Sequence, residues 1–351
     1  MSRKDFDKIY KLLNIQVVRQ KMSLGNTLVT GGGGFLGKAL VKKLLDKGEH
    51  VVSFSRSRYL ELDRLGVSQI QGDLADADAV ADALKSMDTV FHTAAKPGIW
   101  GAYDEYFRIN VTGTVNVINA CMKHKVGRLI YTSSPSVVFD DKDMDGADES
   151  VPYPDTYLAP YPETKALAEK EVVKAAGQGL CVIILRPHLI WGPEDNHLVP
   201  GIINRAKRLK IIGPDTDLVD TIYVDNAADA HILAAEKLAE NTDLSGNIYF
   251  ISQDEPMSKW RLANGFLSAA GLPPIQGHVS ARTAYAAGWL FEFVYRTLGI
   301  KKDPPMTRFA AKELATSHWF DISRAKNELG YRPKVSTQDG LKRLEAWLNR
   351  T

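Results

Sequence analysis

Residues 27–30, TLVT, are a short apolar run, and GGGGFLG (31–37) follows them directly. The next segment is KALVKKLLDKG. Here Leu36, Leu40, Val41, Leu44 and Leu45 fall on one helical stripe, and Gly48 is placed to close the helix. HVVSF (50–54) then reads as a second strand. The glycines therefore sit on a strand-to-helix turn inside a βαβ unit, not on an unstructured loop. Such a turn lets backbone come close to a diphosphate, which side chains would block, while the helix N-terminus supplies N–H donors and partial positive charge. Gly31, Gly34 and Gly37 give G-x-x-G-x-x-G, and Gly32, Gly34 and Gly37 also satisfy G-x-G-x-x-G.

The alternation continues. Strands are expected at 69–74, 89–95, 128–134 and 181–187, and helices at 75–87, 103–125 and 162–176. Near-continuous apolar strands between helices predict a parallel sheet covered on both faces. The fold class is α/β: a Rossmann-type doubly wound parallel sheet with a smaller C-terminal substrate-binding region. The expected divisions are an N-terminal extension over 1–25, a nucleotide-binding domain over 26–193, and a mainly substrate-binding region over 194–351. Some segments of the last are expected to return to the core. In the extension, Phe6, Ile9, Leu12 and Leu13 have helical spacing and predict a docked helix. The extension lacks the long apolar core of a signal peptide, and Asp5 and Asp7 argue against a transit peptide.

Net charge is +2 among 351 residues, with no Lys/Arg-rich block, so no nucleic-acid partner is expected. No zinc-like Cys/His spacing occurs. The acidic loop DDKDMDGADES (140–150) lacks the spaced EF-hand ligands and reads as a solvated loop, so no metal is expected. Cys121 and Cys181 read as free thiols in a reducing cytoplasm. No stretch of about 20 apolar residues exists to span a bilayer.

The end of the second strand bears on the cofactor. An NAD site usually places Asp or Glu there for the ribose 2′-hydroxyl. Here Ser55, Arg56, Ser57 and Arg58 stand instead, and the first acid is Glu61. Arg56 suits a 2′-phosphate and the Ser55 hydroxyl can assist, so NADP(H) is favoured over NAD. Asp73 is placed either to reach an adenine edge or to cap the following helix. YPETK (161–165) sets a Tyr four residues before a Lys, on one helix face. An ammonium ~4–6 Å from a phenol favours phenolate and lowers its pKa.

Taken together, TGGGGFLG, GDL (72–74), HTAA (92–95), NVTGT (110–114), YTSSPSVV (131–138), YPETK and RPHLIWGP (186–193) resemble the extended short-chain dehydrogenase/reductases. The resemblance covers nearly the whole chain from about residue 26. It implies that Tyr161 is the catalytic acid/base, Lys165 its partner, and Ser134 the hydroxyl that completes the set, with Ser133 and Ser136 as alternatives. Asn110 matches the family's helix asparagine, either a link to a water chain or a bridge between backbone groups. The cofactor set implied is Gly31, Gly34, Phe35, Leu36, Gly37, Ser55, Arg56, Asp73, Leu74, Ala94, Ala95, Tyr161, Lys165 and Pro187.

Pro135 and Ser136 follow Ser134 where sugar-nucleotide dehydratases carry acids. IWGPEDNHLVP (190–200) and DTIYVDNAADAHILAAEKL (220–238) resemble the 3β-hydroxysteroid dehydrogenase branch. Within it, AAKPGIWGAYDEY (94–106) and 304–331 resemble the bacterial 2-alkyl-3-oxoalkanoate reductases of long-chain olefin biosynthesis. That implies NADPH-dependent reduction of a long-chain, lipid-like 3-oxo acid. The alternatives are a 3β-hydroxysterol dehydrogenase and a non-catalytic NADP-binding sensor. Trp100, Trp191, Trp289, Phe291, Phe293 and Trp319 are candidates for pocket lining or for core, and Lys96 and Arg186 for a substrate carboxylate. TAYAAGWLFEFVYRTLGI (283–300) reads as a lid or subunit contact in preference to a peripheral membrane helix. A homodimer, and association with other olefin-pathway enzymes, are compatible with the resemblance.

Overall fold

The computed structural model describes residues 23–350. The expected docked helix around Phe6, Ile9, Leu12 and Leu13 lies outside the described residues. Seven strands form the main sheet: β1 (Asn26–Thr30), β2 (His50–Ser55), β3 (Ser68–Gln71), β4 (Thr89–His92), β5 (Arg128–Thr132), β6 (Val182–Pro187) and β7 (Ile248–Ile251). Their order is β7-β6-β5-β4-β1-β2-β3, and every pairing is parallel. The order reverses at β1, where a doubly wound sheet opens a crevice at its carboxyl edge.

The strand residues explain why both faces are covered. Leu28, Val90, Leu129 and Ile184 point to one side and join a core with α2 (Ala77–Ala83), α3 (Gly113–His124) and α4 (Pro160–Gly177). Their neighbours Val29, Phe91, Ile130 and Ile183 point to the other, where α1 (Phe35–Asp46) and α5 (Val224–Glu240) pack. Side chains alternate between faces, so a strand buried on both reads as a near-continuous apolar run. α5 and β7 return from the C-terminal half into this core.

Three strands stop short of their expected ends. β3 ends at Gln71, β4 at His92 and β5 at Thr132. The residues beyond them (72–74, 93–95 and 133–134) are turns at the carboxyl edge of the sheet. The helix expected over 103–125 is broken by a π-helical turn, Phe107–Thr112, which carries Asn110. Such single π-turns often occur at functional sites.

The remaining chain builds a second lobe. A small sheet joins Met257–Ser258, Leu218–Val219, His318–Phe320 and Met144–Ala147. Around it pack α6 (Lys259–Ala269), α7 (Ala281–Thr297) and α8 (Arg308–Leu314). At Gly288 of α7, an added Cβ would lie 2.6 Å from the Thr307 carbonyl carbon, so α7 rests directly on backbone. Buried Glu292 ties the same face to the Arg308 N–H at 2.7 Å and its guanidinium at 2.9 Å. The opposite face of α7 exposes Trp289, Leu290 and Phe293. Among the described residues, no helix is long and apolar enough to cross a membrane, and no His/Cys/Asp/Glu cluster is set to hold a metal.

Gly37 packs directly on the backbone of the glycine turn. A Cβ there would sit 2.1 Å from the Gly31 carbonyl oxygen and 3.0 Å from the Gly32 Cα. Neither partner is a flexible side chain. Gly37→Ala is expected to lower stability by about 1–3 kcal/mol or more and to abolish nucleotide binding. A thermal melt and a nucleotide titration measure the two effects.

Candidate active site

The crevice is floored by the glycine turn. Gly31 has φ +69°, a conformation glycine adopts freely, and its N–H donates to the Phe54 carbonyl at 2.8 Å. The Gly34 N–H donates to the Gly31 carbonyl at 2.8 Å, and α1 starts at Phe35 and Leu36. A Cβ on Gly31 would meet the Ala94 backbone at 3.1 Å, so the turn from β1 and the turn from β4 are in contact. This side-chain-free cradle at a helix N-terminus fits a dinucleotide diphosphate.

Ser55 ends β2 half-buried, and Arg56 follows it exposed. Burial pushes the Asp73 carboxyl up, but the Ala75 N–H and Arg108 outweigh it and hold the group below the usual range, with the Arg56 charge adding least. The carboxyl accepts from the Ala75 N–H at 3.0 Å and pairs with Arg108 at 2.8 Å. Asp73 does not cap α2; Asp76 does, accepting from the Asp78 and Ala79 N–H groups. The cap moved because β3 ends early and leaves residues 72–76 before the helix. Leu74 faces the core with its side chain. Ala94 and Ala95 follow β4 at the crevice, and Pro187 is buried at the end of β6.

Ser134 is the cap of a 3₁₀ turn, Pro135–Val138, its Oγ 3.3 Å from the Ser136 N–H and 2.9 Å from the Ser136 hydroxyl. Ser133 is buried and its hydroxyl has no partner among the described residues. Tyr161 lies in the first turn of α4, just after Pro160. Burial pushes the Tyr161 phenol up, hydrogen bonding toward Ser134 acts in the opposite sense, and the Glu313 carboxylate adds to the rise.

Lys165 is held from β5. Its Nζ donates to the Tyr131 hydroxyl at 2.8 Å and the Thr132 carbonyl at 2.6 Å. Helical spacing puts Tyr161 and Lys165 on one face, and β5 adds a carbonyl and a phenol as partners for the ammonium. Burial pulls Lys165 down to about 7. Asn110 is likewise occupied. Its Oδ1 accepts from the Lys96 N–H at 2.7 Å, and its Nδ2 donates to Thr164 at 3.1 Å. It bridges the loop after β4 to α4.

Comparison with known proteins places this geometry. A sequence model of the 3-beta hydroxysteroid dehydrogenase/isomerase family matches residues 28–278. The chain belongs to that family. A 2-alkyl-3-oxoalkanoate reductase of Shewanella oneidensis is 47% identical over 93% of the chain and 87% of its own length. A decarboxylating sterol-4-alpha-carboxylate 3-dehydrogenase of Candida albicans is 34% identical over 93% of the chain and 98% of its own length. Among solved structures, MoeE5 in complex with UDP-glucose and NAD superposes with a TM-score of 0.71 at 28% identity. It covers 93% of the chain and 99% of its own.

Within this 3-beta hydroxysteroid dehydrogenase fold, several expected side chains are committed elsewhere. Arg186 is buried against Glu169, with Nη2–Oε1 at 2.5 Å, so it is not free for a substrate carboxylate. Lys96 pairs with Glu105 at 2.9 Å but stays part-exposed. Trp191 is wholly buried, packed on Tyr223 and Phe266 in a core of the second lobe. Trp319 donates to Asp145 at 3.0 Å, and Trp289 and Phe293 stack on each other facing outward. Trp100 lies against the end of α7, and its indole N–H donates to the Ile300 carbonyl at 3.4 Å. Its ring meets Tyr295 of α7, and its carbonyl accepts from the Tyr106 hydroxyl at 2.9 Å.

Three buried residues escaped the sequence reading: Tyr131, Thr114 and His92. Thr114 donates to the Asn110 carbonyl at 2.6 Å. A threonine has one hydroxyl hydrogen, so at 3.0 Å from His92 Nε2 it accepts. His92 is thus the Nε2–H tautomer, and its Nδ1 accepts from Thr30 at 2.8 Å. Burial pushes His92 down to about 3, so it stays neutral. HTAA and NVTGT both contain these residues, but nothing in their spacing shows that they bond to each other.

Proposed function

We propose that the chain is an NADPH-dependent reductase that converts a 2-alkyl-3-oxoalkanoate to the 2-alkyl-3-hydroxyalkanoate. The observation that carries this reading is the convergence of the glycine cradle, Ser134, Tyr161 and Lys165 on one sheet edge, in a chain 47% identical to a reductase of that name. The glycine turn with Phe35 and Leu36 would hold the diphosphate, Ser55 and Arg56 the 2′-phosphate, and Asp73, Leu74, Ala94, Ala95 and Pro187 the walls of the site. A bound dinucleotide supplies hydride. Ser134 orients the ketone oxygen, and the Tyr161 O–H gives its proton to the oxygen as the alkoxide forms. Lys165 holds the ribose side of the site. Trp100 and α7 supply an apolar wall, which supports the lid reading of 283–300.

Arg56 gives the first prediction on the cofactor. Losing one charged hydrogen-bond partner costs about 1.5–3 kcal/mol, or roughly 10- to 100-fold in affinity. Arg56→Ala is therefore expected to weaken NADPH by that factor and leave NADH within about twofold. Equal losses for both would remove Arg56 from the 2′-phosphate.

The second reading, a 3β-hydroxysterol dehydrogenase, is favoured by the 34% identity to the sterol enzyme. Nicotinamide absorbance in the oxidative direction separates the two. A long-chain 2-alkyl-3-hydroxyalkanoic acid and a 3β-hydroxysterol are each offered with NADP and with NAD. Reduction of NADP by the hydroxy acid alone is expected. Reduction of NAD by the sterol alone overturns both substrate and cofactor.

A further inference from the structure

Tyr131 lies behind Lys165, fully buried on β5. It holds the lysine in two ways: the hydroxyl accepts from Nζ at 2.8 Å, and Nζ sits 4.3 Å from the ring centroid. An ammonium has three N–H groups. One is directed to Tyr131 and one to the Thr132 carbonyl at 2.6 Å. One is left.

Tyr131 is itself braced. Its ring lies 5.7 Å from that of His92, which Thr114 and Thr30 hold through its two ring nitrogens. Thr114, His92 and Thr30 have fixed donor and acceptor roles, and the Ala94 N–H closes the series on Thr30 at 3.2 Å. The lysine is thus tied through side chains to the π-helical turn and to the turn that touches Gly31.

We propose that Tyr131 is a positioning residue for Lys165: its ring and hydroxyl fix the ammonium so that the single remaining N–H faces the crevice. This rests on the reading that Lys165 contacts the bound dinucleotide. Of the charged and titratable groups acting around Lys165, Glu169 of α4 favours the ammonium and is itself paired with Arg186 of β6. His92 of β4 is neutral, and Tyr131 of β5 and Tyr161 of α4 are both protonated phenols at neutral pH. Tyr131 is the only one of these with a hydrogen bond to Nζ.

The direction of the effect follows. The Tyr131 oxygen accepts from the charged lysine, so removing it disfavours the ammonium and lowers the pH at which the proton leaves. Tyr131→Phe keeps the ring and removes only that acceptor. NADPH affinity, read by fluorescence titration across pH, is expected to fall about tenfold at neutral pH, with its high-pH limb moved to lower pH. kcat falls similarly, and the melting temperature changes little. Thr114→Val removes the brace behind Tyr131 and is expected to move the limb the same way by less. It also serves if Tyr131→Phe does not fold.

A lowered melting temperature with an unmoved limb would make Tyr131 merely structural and overturn the proposal, as would an unchanged affinity profile. Lys165→Met separates the two layers. If it keeps NADPH affinity and turnover, the reading of Lys165 itself fails. If it loses both while Tyr131→Phe matches the parent, only the role of Tyr131 fails.

Discussion

Tyr161→Phe is expected to lower kcat by about 10²- to 10⁴-fold, the usual worth of a positioned proton donor, while NADPH affinity stays within about threefold. The ring remains in the first turn of α4 and only the O–H is lost. The direction of the Tyr161 shift adds a pH signature. Burial and Glu313 push the phenol up, so it stays protonated well above neutrality. Reduction needs the protonated phenol, so Tyr161 itself imposes no fall across neutral pH; a fall there belongs to Lys165, which burial pulls down to about 7. Oxidation needs phenolate and is expected to rise with pH into the alkaline range. Steady-state rates in both directions against pH check this, and oxidation that peaks near neutrality would assign the proton to another group.

The largest stability effect is expected at Glu169 and Arg186. The guanidinium donates through Nε at 3.1 Å and through Nη2 at 2.5 Å, and Tyr153 donates to the same carboxylate at 2.6 Å. The arginine also lies 5.3 Å from the Phe250 ring centroid. Side-chain exposure is 2% for Arg186 and 0% for Glu169. Neither charge can find water if its partner goes. Glu169→Ala and Arg186→Met are each expected to cost about 3–5 kcal/mol, because each leaves an uncompensated buried charge. The pair changed together to Met is expected to recover much of that loss, since both desolvation costs vanish with the charges. Denaturant unfolding of the three variants gives the test. A double variant no better than the worse single would mean that the arginine acts through packing and not through charge.

The sheet was legible because its central strands are mostly apolar on both faces, as Leu28–Val29 and Leu129–Ile130 show. A strand buried on both faces leaves no other pattern. The second lobe was expected as a region, but its internal sheet was not legible, since strands such as Leu218–Val219 and Met257–Ser258 are two residues long and carry no periodicity. In the crevice, the glycine turn was readable because close backbone approach demands residues without side chains, while Ser134 and Tyr161 stand out by residue type and take their roles from the proposed function. Lys165 was readable as a residue but not as a geometry, because its partner Tyr131 looks like an ordinary strand aromatic. Arg186 stood out as a charge inside CVIILRP, yet its carboxylate comes from α4, seventeen residues earlier. Sequence spacing along one helix shows which residues share a face, and only packing shows which groups on the next element compete for them.

The most direct test of the central claim follows the hydride itself. The protein is given a 2-alkyl-3-oxoalkanoate, freshly released from its ester, with NADPH carrying deuterium on the transferring face of C4. The product is examined by mass spectrometry. The expected result is a 2-alkyl-3-hydroxyalkanoate with one deuterium on C3, absent in Tyr161→Phe at matched times. Product without deuterium, or none while a 3β-hydroxysterol is oxidised under the same conditions, would contradict the account.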